Sequence, residues 1–221
     1  MKERIIVVPG SLDLATTLAF HGRDLFNVRF FTPVELARES LMRSGNLSKK
    51  TFVSRSEELA YYFDIVKSVS YFRTHKISDL RKINSTINTV RELVTEDERT
   101  ASTGRLSKGE FKDKNKALIN VYESYMDRLI DENKTDTIGL IREAIDNGHV
   151  FDCEVSHIKE YPLLPLDQKL VETVSGGKQK EISLFDLYGT EEKGVHIDAY
   201  RNCYGSSNEV GTIIDDIFRN R

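Results

Sequence analysis

The chain has 221 residues, 32 basic against 35 acidic side chains, and a formal net charge of −3. That length buries a sizeable core in one large domain or two small ones. The charge balance lacks the basic excess typical of a nucleic-acid-binding domain, though basic stretches can be local, and no apolar run approaches the ~20 residues that span a bilayer, so no membrane partner is expected.

The segment Arg4-Ile5-Ile6-Val7-Val8-Pro9-Gly10 reads as a buried strand running into a turn. Residues 12–20 follow with helical spacing, Leu12, Ala15, Thr16 and Ala19 on one side, and His21-Gly22 closes that helix. Asn27 to Phe31 is a second strand. Thr32-Pro33 then opens a helix, Thr as N-cap and Pro at the first helical position, with an apolar stripe of Val34, Leu36, Ala37, Leu41 and Met42. Strand, helix, strand, helix in that order implies parallel strands joined by crossovers.

From Thr51 to about residue 147 the pattern is helical. Leu59, Tyr62, Phe63, Val66 and Val69 share one face; so do Leu80, Ile83, Ile87, Val90 and Leu93. A third stripe is Leu118, Val121, Tyr122, Tyr125 and Leu129, continued after Thr135 by Ile138, Ile141 and Ile145. These are core-forming faces of packed helices. Residues 99–109, with two glycines, read as a polar, mobile connection. Basic residues gather at Arg43, Lys49, Lys50 and Arg55, at Arg73, His75, Lys76, Arg81 and Lys82, and at Lys108, Lys112, Lys114 and Lys116. Each cluster suits either a phosphate backbone or a solvated helix face.

After Gly148 the strand pattern returns over Val150–His157, followed by a helix around Leu170, Val171 and Val174 that Gly176-Gly177 stops. Ile182 to Tyr188 and Val195 to Ile197 read as further strands, and Glu209 to Arg219 as a last helix. Other chemistry is not signalled. The five histidines and two cysteines, Cys153 and Cys203, lack metal-ligand spacing, and no Gly-x-Ser-x-Gly elbow is present. With no signal-peptide pattern, a reducing cytoplasm is the expected compartment.

The spacing after Gly10 is that of a phosphate loop, which would read Gly, four residues, Gly-Lys-Ser/Thr. Here Ala15 stands for the second Gly and Thr16 for the Lys, while Thr17 keeps the hydroxyl. The order of elements, with Tyr122-Glu-Ser-Tyr-Met-Asp-Arg-Leu129 and Asp136-Thr-Ile-Gly-Leu140-Ile-Arg-Glu-Ala144 ahead of a second motif, resembles a superfamily I DNA helicase of the UvrD/RecB type. More narrowly, it resembles the helicase-like N-terminal part of AddB/RexB proteins, partner subunits of bacterial helicase–nucleases that process double-strand breaks.

The resemblance implies an α/β fold, a RecA-like (P-loop-type) parallel sheet with a large helical insertion. Residues 1–48 would begin the RecA-like domain, 49–147 form the inserted helical domain, 148–198 complete the α/β domain, and 199–221 start a second, truncated helicase-like domain. The family's proteins are far longer, so the chain is expected to be a fragment without the PD-(D/E)XK nuclease centre. Active members carry Asp-Glu-aromatic-Gln-Asp at the second motif. This chain has Lys159-Glu160-Tyr161-Pro162-Leu163, with Gln168 further on. In the later Asn-Tyr-Arg-Ser motif it has Cys203-Tyr204-Gly205-Ser206, so Gly205 replaces the phosphate-binding Arg.

Phosphoryl transfer rests on positioning and charge stabilisation, and each lost contact costs on the order of a few kcal/mol. The resemblance therefore implies a catalytically inactive scaffold that guides single-stranded DNA, with no cofactor and an AddA/RexA-like motor subunit as partner. Thr32, at the position of a helicase threonine that touches single-stranded DNA, is the expected contact residue, with Arg73 and Lys76 in support. A residual P-loop ATPase and a protein-interaction module without a DNA role are the alternatives.

Overall fold

The computed structural model describes residues 3–9, 25–46, 49–72, 77–106, 108 and 111–188, all within one compact unit spanning residues 1–188. Its central strand is β1 (Arg4–Val7), whose Ile5, Ile6 and Val7 are buried, as is Val8 after them. A strand apolar on both faces belongs inside a parallel sheet covered on both sides. β1 pairs in parallel with β2 (Val28–Phe31) on one edge and with β5 (Glu154–Ile158) on the other, and β5 pairs in parallel with β6 (Lys180–Ile182). The order is β2-β1-β5-β6. The expected parallel α/β architecture is present.

Beneath the sheet lie α1 (Pro33–Arg43), α6 (Thr137–Asn147) and α7 (Pro165–Val174). Their Leu36, Leu41, Ile141, Leu166 and Leu170 meet Ile5, Val7 and Val155 of the strands in one aliphatic core. The other face carries Ile6, Val8 and Ile158 against Val28, Phe30 and Ile182 and against Leu184 and Leu187 of the short helix α8 (Leu184–Tyr188). α1 and α6 approach closely at one seam. Ser40 Oγ donates to the His149 carbonyl at 2.8 Å, and the His149 N–H returns a bond to the Ser40 carbonyl at 3.1 Å. A Cβ at Gly148 would collide with Ser40 Oγ and the Ala144 carbonyl, so this seam requires glycine.

Between α1 and α6 the chain builds a helical block from α2 (Arg55–Ser68), α3 (Ile77–Arg91), α4 (Glu96–Leu106) and α5 (Lys112–Asp131). Tyr62, Val66, Leu80, Ile83, Ile87, Val121, Tyr125 and Leu129 are buried in its core, but Phe63 of the first stripe is exposed, and Tyr61 and Ile65 fill that helix face instead. A two-residue parallel pair, β3 (Thr51–Phe52) with β4 (Lys134–Thr135), lies where the chain enters and leaves the block.

Four local differences from the sequence reading have physical causes. Residues 99–106 are helical because Thr95 and Glu98 form a reciprocal capping box, Glu98 N–H to Thr95 Oγ1 at 3.1 Å and Thr95 N–H to Glu98 Oε2 at 3.0 Å. Residues 182–188 are a strand end and then a helix, because Ser183 turns the chain and its N–H donates to Asp186 Oδ2 at 3.2 Å. The strand expected from Val150 starts only at Glu154, with Phe151 buried under the sheet ahead of it. Ile138 and Ile141 do not extend the α5 stripe; Asp136 caps a new helix, α6, which packs under the sheet. The expected helix over 12–20, the strand at 195–197 and the helix at 209–219 lie outside the described residues.

Candidate functional site

In an open parallel sheet, ligands gather beyond the carboxyl ends of the strands. Here β1 leads into Val8 and exposed Pro9, and β2 leads into Thr32. Thr32 is the N-cap of α1. Its Oγ1 accepts from the Glu35 N–H at 3.3 Å and donates to Glu35 Oε2 at 2.9 Å, while its own N–H donates to that same oxygen at 2.7 Å. Thr-Pro-Val-Glu thus closes a full capping box, which holds the hydroxyl at the helix end.

β5 leads into Lys159 and Glu160, both exposed. The Lys159 N–H extends the ladder to the Ile182 carbonyl at 3.0 Å. The Glu160 carboxylate accepts from Ser183 Oγ at 2.6 Å and from the Leu184 N–H at 3.0 Å. The Ser183 hydrogen bond, followed by that backbone donor, lowers its pKa. Gln168 lies exposed in the first turn of α7, its N–H bonded to the Leu164 carbonyl at 2.8 Å. The sheet therefore brings Thr32 on one side of β1 and Lys159 and Glu160 on the other to a single edge, with Gln168 in the next helix. Gly10, Ala15, Thr16, Thr17, Arg73, Lys76, Tyr204 and Gly205 lie outside the described residues. Among the described residues, no group of three or more His, Cys, Asp or Glu is placed to hold a metal ion, and no helix is long and apolar enough to cross a membrane.

A second arrangement was not anticipated from the sequence. α2 and α3 flank a cleft of about 840 Å³ whose floor includes Arg91 and Asp136. Arg91 donates twice to Asp136, Nη1 to Oδ2 at 2.7 Å and Nη2 to Oδ1 at 2.8 Å. Tyr125 adds its hydroxyl to Oδ2 at 2.8 Å, and the Gly139 N–H donates to Oδ1 at 2.9 Å. Burial alone would raise the pKa of Asp136, but Arg91 outweighs it and the carboxylate stays below its ordinary range. Burial, then the Asp136 charge, raises the Tyr125 phenol. Tyr62 stacks on Tyr125 at 4.6 Å between ring centroids.

Glu58 and Glu92 also line this cleft. Burial, then repulsion from Asp136, raises the Glu58 pKa. Asp167 on α7 is pushed up to about 6, first by burial and then by the Glu92 carboxylate. The available signal was the polar helical face Arg81-Asn84-Asn88-Arg91, at spacings of three and four, beside the apolar stripe of α3. No protein-family model matches the chain, and no curated protein matches it.

Proposed function

We propose that this chain is a helicase-like scaffold that guides single-stranded DNA without hydrolysing ATP. In this reading its sheet is RecA-like. It works in the cytoplasm beside an AddA/RexA-like motor subunit, within a helicase–nuclease for double-strand-break repair and recombination. The parallel β2-β1-β5-β6 sheet, entered through a strand that leads to Gly10 and interrupted by a helical block, supports the architecture. The observation that carries the reading is the fate of the acid at the end of β5. Glu160 is committed to Ser183 and Leu184 as a helix cap. Lys159 stands beside it, where the family it resembles places a magnesium ligand. A cation there opposes Mg²⁺, and a carboxylate with a lowered pKa and two donors is a poor acceptor for the proton of an attacking water.

The test is a pair of measurements on the 221-residue chain. ATP turnover should be no faster than in a Thr17→Ala control, and a single-stranded oligonucleotide should bind with an affinity that falls as salt rises. Turnover well above the control would establish the ATPase reading. Absence of salt-dependent binding would leave the protein-interaction reading in its place.

A further inference from the structure

The cleft between α2 and α3 offers an unusual division of charge. Two cations at its lining, Arg55 and Arg81, are exposed and make no ion pair among the described residues. The interior has the opposite character. Arg91 is held by Asp136, and two further carboxylates, Glu58 and Glu92, line the interior. A phosphate is therefore favoured at the arginines and repelled from the interior. A neutral group is not. Asn84 and Asn88 supply amides there; Asn88 Nδ2 donates to Asn84 Oδ1 at 2.6 Å, and Asn88 Oδ1 accepts from Arg91 at 3.3 Å. Both amides also hydrogen-bond the Glu58 carboxylate, so the three side chains form one polar wall. Phe52, 39% exposed, adds an aromatic surface to the lining. The volume lies within the roughly 300–1,000 Å³ of clefts that take small ligands.

We propose that this cleft seats one unpaired base of a single-stranded nucleic acid, with the flanking phosphates on Arg55 and Arg81. The inference rests on the DNA-guiding reading and gives it a location away from the sheet edge. The base enters because it is planar and uncharged. Phe52 offers a face for stacking, which tolerates any base. The base edge meets the linked polar wall of Asn84, Asn88 and Glu58, which presents groups of the kind that pair with base edges elsewhere. The interior acids set the polarity, base inward and backbone outward.

Fluorescence anisotropy with the whole chain tests this, using labelled oligothymidylate and an abasic oligomer of equal length. The parent protein should bind oligothymidylate more tightly than the abasic strand. Phe52→Ala should weaken the oligothymidylate complex about tenfold and leave the abasic complex unchanged. Arg55→Glu with Arg81→Glu should weaken both and flatten the logarithmic salt slope by about 1.4, two single-strand phosphate contacts. All three residues are exposed, and thermal melting of each variant verifies that it folds. If oligothymidylate binds and none of these substitutions alters it, the cleft is not the seat, while the DNA-guiding reading stands. If both strands bind equally and only the arginine pair matters, the base seat is overturned. If the parent protein binds neither strand at low salt, both proposals fall together.

Discussion

Under the parallel sheet, the core is made of Ile5, Leu36, Leu41, Ile141, Leu166 and Leu170, with Phe151 as its aromatic member. Between α2, α3 and α5, the core centres on stacked Tyr62 and Tyr125, with the Arg91–Asp136 ion pair buried beside them. The first draws its strength from apolar area and a main-chain ladder, neither of which demands one particular neighbour. The second depends on directional groups that must all be satisfied at once. One group is the exception: among the described residues the buried Tyr62 hydroxyl has no hydrogen-bond partner. Arg142 of α6 extends this polar logic to the seam between the two regions. It donates to the Arg91, Leu93 and Val94 carbonyls at the end of α3, a cation at a helix C-terminus.

The contrast can be broken most forcefully at Arg91. Arg91→Met leaves Asp136 charged, buried and short of its main counter-ion, and should cost about 3–5 kcal/mol in denaturant unfolding. Adding Asp136→Asn, which keeps a capping side chain for α6, should recover much of that loss. If the double variant is no better than the single one, the ion pair is not what distinguishes this core. In the sheet core the matching experiment is Leu170→Ala, which should cost about 3 kcal/mol through lost burial and a residual cavity. Leu170→Met there should cost under about 1.5 kcal/mol, because volume is what counts.

An effect smaller than either the Arg91 or the Leu170→Ala loss belongs to Asp167, where the two regions meet. Its folded pKa of about 6 lies above the ordinary carboxylate value, so the native state holds the proton more tightly. Its contribution to stability therefore falls as pH rises from about 4 to 6. Allowing for solvent screening, Asp167→Asn should stabilise the protein by about 1–2 kcal/mol at pH 8. The gain should vanish below about pH 4. A gain that persists at low pH would place its origin elsewhere.

Legibility in the sequence followed the range of the interaction. β1, β2 and α1 were readable because burial on both strand faces and the Thr32-x-x-Glu35 box are written within a few residues. Thr32, Lys159 and Glu160 were singled out one by one through the resemblance, and only the strand order brings them to one end of the sheet. α4 has an equally local signal in Thr95 and Glu98, but its glycine and polar residues masked it. β3 and β4 are two residues each, too short for any periodicity. The Arg91–Asp136 pair joins positions 45 residues apart, and only the tertiary packing brings them together. Nothing local marked Glu160 as a helix cap, because Ser183 read as part of a strand. Its turn into α8 supplies the two donors that occupy the acid.

Thr51 lies opposite Lys134 and Phe52 opposite Thr135, so the polypeptide departs from the sheet region and rejoins it through adjacent strands, about 4.8 Å apart. Among the described residues, no side chain of the aliphatic cluster under the sheet comes from the intervening stretch. A spliced gene carrying Thr51 across to Thr135 through one or two glycines would keep that cluster whole and discard the tyrosine cluster entire. The helical block is in this sense a cassette, open to exchange or enlargement at one point of attachment while the sheet beneath it keeps its sequence.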